Sequence, residues 1–102
     1  MFLIHILVPL TNNNGNKFQP QKFNKLKKLL IKKFHGLTVF SHSPAEGLWQ
    51  KTKKTVKQEP IIVFEIMTET KDNKWWQDLR IKLEKEFKQE YIVIRILTME
   101  CI

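Results

Sequence analysis

Three side chains in this sequence are of types that could move a proton or hold an anion together: His5, Glu65 and Arg95. An imidazole beside a carboxylate can exchange a proton with it, and a guanidinium binds carboxylate or phosphate through its planar fork. Each sits in the middle of an apolar stretch of strand character, residues 2–8, 61–68 and 91–99. In a strand, alternate side chains point to opposite faces. His5 therefore shares its face with Leu3 and Leu7, Glu65 with Ile61, Val63 and Met67, and Arg95 with Tyr91, Val93 and Leu97. If the three strands are neighbours, the three polar residues fall on one line. Two readings of that line follow. In one, Arg95 binds an anion while His5 and Glu65 exchange a proton, so the line is a ligand site. In the other, it is a structural ion pair that satisfies charges beneath an interface.

The remaining candidates are weaker. His42 and Ser43 are adjacent, so on a strand they point apart and form no catalytic pair. Glu65, Glu69 and Asp72 have no matched histidine spacing for a metal, and no cofactor is implied. Cys101 is the lone cysteine, which excludes an intrachain disulfide and fits a reducing, cytoplasmic setting. Trp49, Trp75 and Trp76 could stack on bases, but aromatic residues like these more often pack a core edge.

Charge sets a further expectation. The net charge is +8 and the sequence pI about 9.8, which points to an anionic ligand or nucleic acid as a possible partner. Of the 18 basic residues only Arg80 and Arg95 are arginine, and base readout favours arginine. Lys51, Lys53, Lys54 and Lys57 form one basic cluster, and the lysines of residues 20–34 another. Nonspecific nucleic-acid binding through lysines is therefore one alternative function. A base-stacking RNA module of the same element order is not indicated, because residues 61–66 carry no glycine and no outward aromatic. A small ferredoxin-like CRISPR-associated nuclease would have an acid at the end of the first strand, where this chain has Val8-Pro9-Leu10.

The elements that must position these residues read in order. Residues 2–8 alternate as a strand that is apolar on both faces, too short to span a bilayer and without a basic leader. Residues 20–34 form a helix, with Phe23, Leu26, Leu29, Leu30 and Phe34 on one stripe and Pro20 in the first turn. Gly36 suits its left-handed cap. A second strand spans 37–42, and Pro44 and Gly47 interrupt it. Residues 43–59 then form an insertion, read as a β-ribbon with a basic tip in preference to a loop. A third strand starts after Pro60 and runs over 61–68. A helix follows from Asp72 or Asn73 to about Gln89, with Trp76, Leu79, Leu83 and Phe87 on its stripe. The last strand covers 91–99.

This order, β-α-β-β-α-β, predicts a single α+β domain over residues 1–102. The fold is a ferredoxin-like sandwich with a four-stranded antiparallel sheet in the order 4-1-3-2 and both helices on one face. The opposite face is then too apolar for solvent, and a second copy of the chain is its simplest cover. The expected function is a cytoplasmic, homodimeric binding or regulatory module. The first alternative is a small cofactor-independent enzyme of the dimeric α/β-barrel type, with a pocket lined by His5, Glu65, Arg95 and Trp49.

Phe34-x-Gly36-Leu37-Thr38-Val39, Gly47-x-Trp49, Glu59 and Phe87-x-Gln89-Glu90 resemble a family of small uncharacterised bacterial proteins with a Phe-x-Gly-Leu-Thr motif followed by Gly-x-Trp. The resemblance covers roughly residues 34 to 97. It departs at the helix end, where the family has Pro-Arg-Phe-Pro and this chain has Lys32-Lys33-Phe34-His35. It implies a shared fold and marks Thr38 and Trp49 as candidate ligand-binding residues, without implying an activity.

Overall fold

β1 (Phe2–Pro9) lies at the centre of the sheet and buries one side completely: Ile4, Ile6 and Val8 are fully inaccessible. The other elements are α1 (Pro20–Phe34), β2 (Thr38–Gln50), β3 (Val56–Thr68), α2 (Asn73–Glu86) and β4 (Val93–Thr98). The computed structural model describes residues 1–50 and 56–102, and for 42–50 and 56–59 it describes the backbone only. The four strands pair antiparallel in the order β2-β3-β1-β4, which is the expected order read from the other edge.

The core is the layer between sheet and helices. Ile62, Phe64 and Ile66 of β3 and Ile92 before β4 join the β1 residues there, and Ile94 and Ile96 pack against them. From the helices come Phe23, Leu26 and Leu30 of α1 and Trp76, Leu79 and Leu83 of α2. Aromatic contacts close both ends of the layer. Phe18 and Phe23 meet Phe87 at centroid distances of 5.0 and 5.4 Å. Phe34 stacks on Trp76 at 5.2 Å and meets Trp75 edge-on at 5.4 Å.

Helix ends differ from expectation in instructive ways. The left-handed residue closing α1 is His35 (φ 65°), one position before Gly36, and its N–H bonds the Ile31 carbonyl at 2.8 Å. α2 ends at Glu86, short of Gln89. Lys88 turns left-handed (φ 50°) and Gln89 N–H bonds back to the Glu84 carbonyl at 2.9 Å, a Schellman stop. Asp72 caps the start of α2 by accepting from Trp75 N–H.

The strands also differ. β2 runs on through Pro44 and Gly47, with a register irregularity between Phe40 and Ala45. β3 begins at Val56, so Pro60 lies inside it and not at its start. β2 and β3 stay paired out to Gln50↔Val56, whereas β1 ends with Pro9 opposite Ile61. Beyond that point the two strands form a ribbon with no third strand beside it among the described residues, which is how β3 tolerates a proline. β4 begins at Val93, not Tyr91. Tyr91 is 63% exposed and stands against Arg80 of α2, 5.2 Å from guanidinium to ring, so it is not part of the open sheet face.

Candidate functional site

The sheet face turned away from the helices carries three rows in register. One row is Met67–Leu3–Leu97 and another is Phe40–Val63–Leu7–Val93. Between them runs a polar row: Thr38 opposite Glu65, Glu65 opposite His5, His5 opposite Arg95. The line of three expected from strand alternation is thus continuous across all four strands, and Thr38 completes it at the β2 edge.

Geometry distinguishes the members. His5 Nε2 and Glu65 Oε2 are 2.9 Å apart, and the two side chains are 19% and 25% exposed. An ionised carboxylate only accepts, so the pair places the imidazole proton on Nε2. His5 Nδ1 is buried and has no partner among the described residues. Arg95 is exposed and makes no ion pair with Glu65 among the described residues. The expectation of one three-membered cluster is therefore met in register but only by His5 and Glu65 in contact. The row can pass a proton between His5 and Glu65 and can offer Arg95 to an anion.

Trp49 does not join this row within the chain. It pairs with Lys57, eight residues along β3 from Glu65, which is ~26 Å at ~3.3 Å per residue. Along the backbone, that spacing sets Trp49 apart from His5, Glu65 and Arg95 within one copy. The side chains of Trp49 and Lys57, and all of Lys51, Lys53 and Lys54, lie outside the described residues.

The helical layer presents different chemistry. α1 carries Lys22, Lys25, Lys27, Lys28, Lys32 and Lys33 with no acidic residue. Part of this charge is used internally. Lys22 Nζ donates to the Glu86 carbonyl at 2.6 Å at the C-terminal end of α2, where a cation is favoured, and Lys25 pairs with the Glu86 carboxylate at 3.1 Å. Lys33 lies 4.7 Å from the Trp75 ring. A shallow cleft between the helices, floored by Leu26, Leu29, Leu79 and Leu83, sits on this side and not near the polar row. Among the described residues no group of three or more His, Cys, Asp or Glu could hold a metal. No helix there is long and apolar enough to cross a membrane.

Sequence reasoning missed Glu84 as a structural ligand. Its carboxylate accepts from Ile92 N–H at 2.9 Å and so holds the approach to β4. A buried backbone donor just before a strand, eight residues from an acid on a helix, leaves no pattern in a single sequence.

No family model matches the chain, and no curated protein matches it. Several solved structures do. A phage SAM lyase in complex with S-methyl-5'-thioadenosine is 17% identical, with a TM-score of 0.65 over 94% of this chain and 79% of that one. A phage SAM lyase in its apo state gives 15% and 0.62, over 94% and 78%. CutA from Pyrococcus horikoshii gives 10% and 0.60, over 100% and 87%. At these identities the likeness establishes the ferredoxin-like fold.

Proposed function

We propose that this chain is a self-associating binding or regulatory module, acting in the cytoplasm, whose copies meet through the open sheet face. It would stand with the small bacterial proteins that its Phe34–Thr38 and Gly47–Trp49 motifs resemble. The observation that carries the reading is the pair of apolar rows flanking the polar one. Phe40 and Leu97 are each 46% exposed and Met67 58% exposed on a face that no helix covers. A patch of that kind is an interface in most soluble domains. The basic helical layer is left outward, facing anionic ligands. Sedimentation equilibrium at low and moderate salt tests the reading. Association at both supports it, because apolar contact is insensitive to screening. A monomer at both would overturn it.

A second reading, small-ligand chemistry at the polar row, is favoured by one specific observation. The similar phage lyase holds S-methyl-5'-thioadenosine, and here the same fold presents an acid–base pair in contact on its open face. Under this reading the ligand is a nucleoside thioether. Calorimetric titration with S-methyl-5'-thioadenosine should then show binding that Glu65→Gln weakens at least tenfold and that Arg95→Ala weakens further. Absence of heat from the wild-type chain would remove this reading and leave the first intact.

A further inference from the structure

Arg95 is the one charged member of the polar row that makes no ion pair or hydrogen bond among the described residues. His5 and Glu65 hold one another, whereas the guanidinium stands between Val93 and Leu97, 37% and 46% exposed, and has no hydrogen bond or ion pair among the described residues. A charge covered by an apolar face needs a counter-charge inside the contact. Its own Glu65 lies two strands away, ~9.6 Å between backbones at ~4.8 Å per strand, with His5 between.

We infer that Arg95 of each copy pairs with Glu65 of the partner subunit across a face-to-face contact of two open sheets. The inference rests on the self-association reading and adds to it which residues meet. Two identical sheets stacked face to face are related by a two-fold axis lying in the plane between them. An axis running across the strands places every row member over its own copy, Glu65 on Glu65 and Arg95 on Arg95, which is repulsive. An axis running along the strands reverses the row, so that Thr38–Glu65–His5–Arg95 lies over Arg95–His5–Glu65–Thr38. The partner's Arg95 then sits over Thr38, one strand spacing of ~4.8 Å to the side of Glu65 and within reach of a long side chain. Each Glu65 carboxylate accepts from its own His5 on one oxygen and from the partner's Arg95 on the other. Either axis lays apolar rows on apolar rows, so the charges decide between them.

Charge exchange tests the pair. Arg95→Glu alone and Glu65→Arg alone should each weaken self-association at least tenfold, because like charges then face each other. An equal mixture should associate within about threefold of wild type, because the mixed pair restores both contacts. Arg95→Glu associating as tightly as wild type would overturn the inference while leaving self-association standing. So would a mixture no tighter than the single variants. A monomeric wild-type chain would overturn the underlying reading and the pair with it. A second measurement avoids touching the charged residues. In a Cys101→Ser background, Phe40→Cys and Val93→Cys chains are mixed and treated with a bis-maleimide spanning the ~10 Å between stacked sheets. Cross-links from 40 to 93 are expected. Cross-links of 93 to 97 between Val93→Cys and Leu97→Cys chains in their place would establish the other axis, which lays Val93 over the partner's Leu97, and would refute the pairing.

Discussion

The two sides of β1 are built from nearly the same residues and live in different surroundings. Ile4, Ile6 and Val8 are fully buried against the helices, whereas Leu3, His5 and Leu7 alternate with them and remain partly exposed. The same division continues through β3, where Phe64 is inaccessible and its neighbours Val63 and Glu65 are not. Hydrophobicity therefore fails to separate the two sides of this sheet, and what separates them is coverage. The helical side is finished within the chain. The open side is apolar without being covered by the described residues, and its polar centre contains a positive charge that none of them pairs.

Substitutions can break or sharpen that contrast. The largest effect is expected from Phe64→Ala, about 3–5 kcal/mol of lost stability, since the cavity would open in a closed layer. Its neighbour Val63→Ala should cost below about 1 kcal/mol in protein dilute enough to be monomeric. Equal urea midpoints for the two would show that the open face is as closed as the core. Next comes Glu84→Ala, which strands the Ile92 N–H and should cost about 1–3 kcal/mol, with Glu84→Gln recovering most of it because an amide oxygen still accepts. On the open side, Leu97→Lys should weaken self-association at least tenfold, ~1.4 kcal/mol, and move the dilute unfolding midpoint little. A loss of stability matching that of Phe64→Ala would mean that Leu97 belongs to the fold and not to an interface. The smallest effect has the opposite sign. His35→Gly should stabilise the chain by about 0.5–1 kcal/mol, because a residue with a Cβ now occupies a left-handed position. No gain in thermal midpoint would show that the His35 side chain contributes something in return.

Much of this was legible in the sequence, for physical reasons that can be named. Alternation in 2–8 and 61–68 placed His5 and Glu65 on one face, and topology made their strands neighbours. The resulting pair in contact at 2.9 Å follows from period and order alone. Pro20 at the first turn and the Phe23–Phe34 stripe located α1 to the residue. Other features were illegible because competing local rules decide them. Proline and glycine at 44 and 47 argue for a break, yet the ladder with β3 carries β2 through, since an edge strand tolerates both. Gly36 is the obvious left-handed cap, but the helix stops one residue sooner and His35 bears the conformation. Tyr91 continues the alternation of β4, but the Schellman turn at Lys88 and the Glu84 tie direct it toward α2 and Arg80. For the site, residue types identified His5, Glu65 and Arg95. Which two of the three touch was decided by strand spacing, and the isolation of Trp49 by the length of the ribbon.

The position of β1 has one more consequence, for the order of events during synthesis. It is the first element of the sequence, yet it pairs with β3 and β4, Phe2 lying opposite both Thr68 and Thr98. Its sheet partners β3 (Val56–Thr68) and β4 (Val93–Thr98) are both made well after it. At ~5–20 residues per second the apolar strand waits several seconds outside the ribosome without its ladder. Such distant pairings also slow folding once the chain is complete. During that interval the segment holding half of the His5–Glu65 pair is an unpaired apolar strand, open to aggregation.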